Sequence, residues 1–391
     1  MKRILSTALF LFVAVAGFAV DGGGIITSNT GFLLPLPSDK EKPVTNLSNY
    51  EKVSLWLTNN MNKKGNSFFD MQISYLFTAN SKVFTDSSKQ KDPVINHIVD
   101  LDYFNFVFFI PLDKGKAKLN FGRYGVMDQS GIVLNQKIDG VSVDVVTSGI
   151  NFGFDFGFTG LLNRHTTPVY PKLKYDPSII YSLSPAYLAL SVDAVFPIGK
   201  YDHTLGVQIL GFIQPKFKKP DYHTFFEISL KGSIIPGLMF DFTGVANIRN
   251  SFGYKQNACM GSLKLEYYFN KYNSLFGFKS LYAGGGDHTF VGFSKIPLTK
   301  VKPMFPMNTW LMGLYASIEP VDSLIIKMST DMLFYGKKPK SSKSPFNGFE
   351  WNVGLNYTLL QDVYAGFDVG HFISASGSSD LLMNLKFMLS F

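Results

Sequence analysis

The stretch LLMNLKFMLSF, residues 381–391, ends the chain on an aromatic residue with no polar tail behind it. Split by parity, Leu381, Met383, Leu385, Phe387, Leu389 and Phe391 fall on one side; Leu382, Asn384, Lys386, Met388 and Ser390 fall on the other. Successive side chains of a β-strand point to opposite faces, so one face here is wholly apolar and the other mostly polar. A soluble sandwich core would accept such a face, and so would lipid. The rest of the chain has to decide.

The alternation recurs. In INFGFDFGFTG (150–160), Ile150, Phe152, Phe154, Phe156 and Phe158 oppose Asn151, Gly153, Asp155, Gly157 and Thr159. In EWNVGLNYTL (350–359), Trp351, Val353, Leu355 and Tyr357 oppose Glu350, Asn352, Gly354 and Asn356. TFFEISLKG (224–232), LMFDFTGVANIR (238–249) and LIIKMSTDMLF (324–334) repeat the pattern, and helical spacing fits none of them as well. Seventeen segments between 52–59 and 381–391 read as strands. A barrel with both chain ends on one side needs an even number, so one strand is split, missed or invented. Residues 131–134 and 25–35 are the candidates, and the expected total is about 16 strands, in the range 14–18. Tight connections near residues 148, 236 and 360 alternate with long ones at 79–95, 162–184 and 285–307. Residues 20–50 show no clean alternation and read as a periplasmic tail or small plug ahead of a barrel over 51–391.

Composition agrees with this. Aromatic residues make up 15% of the chain and charged residues 17%, with 38 Phe. The charged share lies below the usual value of about 25%. Residues 1–19 read as a signal peptide: Lys2 and Arg3, then an apolar run over 4–18, then Gly17-Phe18-Ala19 as the cleavage site. Its removal takes the formal charge from +8 to +6 (two cations lost). Cys259 is the sole cysteine, which excludes an internal disulfide. No later apolar run reaches the length of a spanning helix.

Strands this long and this numerous exceed an ordinary sandwich. A sheet that spans lipid must close so that every backbone group is paired, with its apolar face outward and its polar face around a lumen. The expected fold is therefore an all-β, antiparallel, up-and-down transmembrane β-barrel. Tyr75, Tyr187, Tyr267, Trp310, Tyr315, Trp351 and Tyr357, near strand ends, suit interfacial girdles. The expected pore-lining residues are Lys118, Arg123, Asp155, Glu227, Lys231, Lys264, Glu266, Lys327, Asp331, Glu350, Asp368 and Lys386. Charge on the lipid face costs about 2–4 kcal/mol for Arg or Lys at mid-membrane, which is why these belong inside. Arg123 shares parity with Leu119 and Phe121, so its inward placement requires a bulge at Gly122.

The terminal Phe391, with apolar residues at every second position before it, resembles the C-terminal strand of Gram-negative outer-membrane β-barrels. FGRYGVMDQSG (121–131) with DGVSV (139–143), and FNGFEWNVGLNYTLLQDVYAGFDVG (346–370), resemble segments of porins and alginate-export-type channels. The resemblance implies an outer-membrane location. It also implies that Phe387, Leu389 and Phe391 form a signal read by the barrel assembly machinery. The implied partners are outer-membrane lipids and small solutes or ions, in a monomer or a trimer, with no nucleic acid.

Chemistry has little foothold. None of the six histidines has a partner at metal-ligand spacing, and no phosphate loop occurs, so no metal, cofactor or enzyme activity is expected. Asp287-His288 reads as a solvated loop dipeptide, and His371 and Ser374 fall on opposite faces of a strand. The leading expectation is a porin-like channel for passive diffusion of small hydrophilic solutes or ions, narrowed by the long loops. The alternatives are a plugged transporter for hydrophobic compounds and a surface-exposed structural or host-interaction protein.

Overall fold

The computed structural model describes residues 21–36, 44–62, 65–84, 92–167, 169, 182–199, 202–215, 221–251, 254–284, 289–342 and 344–391. Among the described residues, eighteen strands run up and down in chain order. They are β1 (Asp21–Leu36), β2 (Val44–Asn60), β3 (Ser67–Phe84), β4 (Val94–Leu112), β5 (Gly115–Met127) and β6 (Asn135–Thr147). Next come β7 (Ile150–Phe158), β8 (Leu188–Ile198), β9 (His203–Gln214), β10 (Asp221–Ile235), β11 (Leu238–Ser251) and β12 (Tyr254–Phe269). The last six are β13 (Ser274–Ala283), β14 (Thr309–Val321), β15 (Leu324–Tyr335), β16 (Phe346–Leu360), β17 (Val363–Ser374) and β18 (Ser379–Ser390). Every strand pairs antiparallel with its neighbours, and β1 pairs with both β2 and β18. The sheet is closed and has no free edge.

The expected N-terminal tail or plug is therefore corrected. Residues 21–36 are a wall strand, and residues 44–50 already belong to β2. The sequence hides β1 because its two faces are not cleanly sorted. Ile26, Ser28, Thr30, Phe32 and Leu34 share the outer face with Leu389, Phe387, Leu385, Met383 and Leu381. Ile25 and Leu33 point the other way, and Leu33 packs inside the barrel beside Phe372. Residues 131–134, the other candidate for the missing strand, form the connection between β5 and β6. The expected signal peptide lies outside the described residues.

The face assignment follows the parity of the sequence. Phe152, Phe154, Phe156, Leu355 and Phe387 project outward and are exposed. Ser142, Thr243, Asn247, Glu350 and Asp368, on the opposite parity, are buried inside. Tyr75, Trp310 and Tyr357 lie exposed on the outer face. Two of the expected girdle residues point inward instead. Tyr187 is fully buried and donates to Asp221 at 2.6 Å, and Tyr315 donates to Glu266 at 2.5 Å. Both rings carry a hydroxyl that an inward carboxylate satisfies, which lipid cannot do.

Short connections such as 113–114, 148–149, 236–237, 322–323 and 361–362 cluster at one end with Asp21 and Phe391. The opposite end carries the connections 128–134, 159–187 and 284–308. The first and third of these fold inward. Val133, Leu134, Phe290 and Phe293 pack against Tyr187 and against Tyr124, Ile138, Leu210, Phe212, Phe225, Val245, Met260 and Leu281 of the wall, forming an apolar core inside the barrel.

Candidate functional site

The lumen is shaped by two inturned segments, each held by a buried carboxylate that accepts backbone N–H groups. Glu350, on β16, accepts from Lys300 N at 2.8 Å, Val301 N at 3.2 Å and Lys302 N at 3.3 Å. Asp128 accepts from Ser130 N at 2.9 Å, Val133 N at 3.1 Å and Leu134 N at 2.6 Å. Charge-assisted bonds of this kind are roughly twice as strong as neutral ones. Both loops carry backbone donors with no ladder to join, and the carboxylates supply the acceptors.

The inturned segments also grip each other and the far wall. Phe293 N and Ser294 N both donate to the Val133 carbonyl, at 2.8 and 2.9 Å, and Ser294 Oγ accepts from Asn135 N of β6 at 2.9 Å and donates to Gln136 at 3.1 Å. Gln129 N reaches Gln208 on β9 at 3.0 Å, while Lys231 on β10 donates to the Gln129 carbonyl at 3.1 Å. The rings of Phe212 and Phe293 stack 3.6 Å apart. The 128–134 connection thus crosses from β5 to β9 and β10 and narrows the passage.

A seam opens where this segment leaves the wall. Pairing of β4 with β5 stops at Phe104 and Arg123, whereas β5 and β6 stay paired up to Met127 and Asn135. Six charges close the gap. Arg123 donates to Asp139 at 2.7 and 3.0 Å and to the Leu101 carbonyl at 2.8 Å, and lies 3.9 Å from Asp100. Lys137 bridges Asp102 and Asp100, and Lys52 reaches Asp102 at 2.7 Å. The bulge expected at Gly122 is not there: register runs through Arg123 without an inserted residue, although Gly122 itself has φ +122°. The inserted residue is one strand away. Asp102 is skipped between the pairs Gln72–Tyr103 and Ile73–Leu101, so Asp100, Asp102 and Tyr103 all turn inward. Arg123 is accordingly a seam residue, about nine-tenths buried, rather than a free cation in the passage.

The other eleven residues expected to line the pore lie on the inner face, in three situations. Lys118 and Asp155 line an open cavity of about 720 Å³. Glu227 and Glu350 are sealed under the inturned segments, Glu227 beside Asp128. The rest stand along β10 to β18, several in pairs: Lys231 with Asp241 at 3.2 Å, Asp331 with Lys279 at 2.8 Å, Lys386 with Asp368, and Glu266 under Tyr315. Lys264 stands across from Lys279, and Lys327 lines a smaller recess with Lys300. The sequence reading omitted Lys52, Asp100, Asp102, Lys137, Asp139 and Lys279. For Asp100 and Asp102 the reason is physical, because the bulge breaks the alternation by which faces were assigned.

Phe387, Leu389 and Phe391 occupy the outer face beside β1. Phe391 continues the ladder: its N–H donates to the Gly24 carbonyl at 3.0 Å, and Gly24 N–H donates to its carbonyl at 2.8 Å. Asp287-His288 lies outside the described residues. His371 is on the outer face, opposite Trp351. No group of acidic, histidine or cysteine side chains among the described residues converges as a metal centre.

No family model and no curated protein matches the chain by sequence. Solved structures match by fold. OccK7 (OpdD) of Pseudomonas aeruginosa superposes with a TM-score of 0.65 at 10% identity, over 96% of this chain and 99% of that one. OpdL of the same organism gives 0.60 at 11% identity, over 95% and 99%. Its outer membrane protein opdK gives 0.58 at 10%, over 95% and 98%. The chain has the outer-membrane β-barrel fold, closed at 18 strands.

Proposed function

We propose that the chain is a porin-like channel of the bacterial outer membrane, through which small hydrophilic solutes or ions diffuse passively. The observation that carries this reading is a closed 18-stranded wall with a polar inner face, an open polar cavity and two inturned loops that narrow the passage. A barrel of this size holds water unless something fills it. Both sides of the inner face carry charges of both signs, with an acidic excess on one. Asp70, Asp144, Asp155 and Asp193 stand on β3 to β8 with Lys118 among them, whereas Lys264, Lys279, Lys327 and Lys386 on β12 to β18 stand among Glu266, Asp331, Glu350 and Asp368. A solute crossing the lumen passes an acidic cluster on one side and largely paired charges on the other.

The plugged-transporter alternative loses its plug, since residues 21–36 belong to the wall. The outer apolar face meets membrane lipid. The terminal Phe387, Leu389 and Phe391 are the segment offered to the assembly machinery. Catalysis plays no part in this reading. Single-channel recording of the purified protein in planar bilayers tests it: discrete conductance steps in potassium chloride are expected, and their absence from correctly inserted protein would overturn the channel.

A further inference from the structure

We propose that the cavity between β2 and β8 is a binding site for small organic cations bearing two amino groups. The site deepens the channel reading, which supplies its place on the diffusion path. Its lining carries four carboxylates, Asp70, Asp144, Asp155 and Asp193, against one cation, Lys118. Four negative charges less one positive leave an excess of three, and none of the four acids takes part in an ion pair among the described residues.

Register arranges the lining in two rows. Lys118, Asp144, Gly153, Asp193 and Gln208 follow one another across β5 to β9, and Asn120, Ser142, Asp155 and Ser191 form the next row. Gly153 lets the Asp193 carboxylate lean over β7 towards Asp144; a Cβ there would sit 2.2 Å from Asp193 Oδ1. The second row adds an independent sign of a ligand. Asn120 is 4% exposed and lines the cavity, yet its Oδ1 has no hydrogen-bond partner. A buried acceptor left unpaired is costly, and a ligand N–H would satisfy it.

The acceptors define the ligand. Carboxylates and an amide oxygen call for a donor-rich cation. The carboxylates do not converge tightly enough for a metal ion. Asp144 and Asp193 stand two strands apart, roughly 10 Å at the backbone, which suits two ammonium groups joined by a short methylene chain. Trp56 and Tyr103 in the same lining offer aromatic faces to the chain and to its charges.

The test uses putrescine on the full-length protein in detergent, by isothermal titration calorimetry, and as an additive in potassium chloride recordings. Saturable binding is expected, with current block. Asp155→Asn together with Asp193→Asn should weaken both by at least about tenfold, while butyrate stays without effect. Asn120→Asp, which adds a fourth net charge at the unpaired acceptor, should tighten both and serves where the double variant does not insert. Absent binding to the wild type, or equal binding to the double variant, would overturn the site whatever the conductance. Binding without any conductance would leave the site standing and overturn the channel.

Discussion

Gly24 and Phe391 exchange two backbone hydrogen bonds, 2.8 and 3.0 Å long, at the line where the first strand meets the end of the last. The Phe391 ring lies over Gly24 so closely that a Cβ there would stand 2.4 Å from the ring's Cζ. The terminal aromatic side chain is thus the outer cover of the closing seam, and the glycine is what lets it lie flat.

Substitutions at this seam should act on closure. Phe391→Ser and Gly24→Val are each expected to leave export intact and to reduce the fraction of folded barrel. Unheated electrophoresis, in which a closed barrel migrates apart from its boiled form, reads this directly. Wild-type amounts of folded protein for both variants would separate the seam from assembly.

A mature chain beginning at Tyr50 lacks β1 and the start of β2. Both neighbours of β1, β2 and β18, would then face lipid with unpaired backbone groups. The truncated chain is expected not to insert, and liposome flotation would detect it if it did.

Much of this architecture was legible in the sequence, and its failures are local. Phe154 and Asp155 alternate cleanly because one face of β7 meets lipid and the other an open cavity. Leu33 and Ser28 do not, because β1 has an apolar interior neighbour in the cluster around Phe372 and polar residues outside. Tyr187 reads as an interfacial residue until the structure supplies Asp221. Arg123 reads as misplaced because its partners, Asp100 and Asp139, come from strands whose register no local pattern states. Periodicity assigns faces; it does not record where a strand bulges or a loop turns inward.

Face assignment carries its own test. Lysine at Phe154 or Leu355 should destabilise the inserted barrel by about 2–4 kcal/mol where the position is near mid-membrane. Lysine at Asn151 or Asn356, on the opposite face of the same strands, should be tolerated. Urea titration of protein folded into lipid vesicles would compare them, and equal tolerance would mean the sheet is inverted.

Loss of the Glu350 carboxylate should release the loop at 300–302. Each charge-assisted bond to an amide contributes about 1.5–3 kcal/mol, and three amides share this acceptor. Glu350→Ala is expected to raise single-channel conductance several-fold, and Glu350→Gln to raise it less. Phe293→Ala, which removes the ring stacked on Phe212, should act in the same direction. Unchanged conductance in all three would place this loop away from the narrowest point.

The seam charges can be measured as a pair. Arg123→Met and Asp139→Asn should each lower thermal stability in detergent. Their combination should cost less than the sum, with a coupling of about 1.5–3 kcal/mol. Strict additivity would make the contact incidental.

The apolar cluster around Phe212, Phe225, Phe290 and Phe293 gives one sheet two solvents. Outside, the strands rest against hydrocarbon, where no water is left to escape once the protein is inserted. Inside, the same strands hold aromatic rings that avoid an aqueous passage, and that preference fades on cooling. Cold therefore slackens the narrowing loops while the wall keeps its ladder of hydrogen bonds. Conductance through such a lumen is expected to fall less steeply on cooling than the viscosity of water alone dictates.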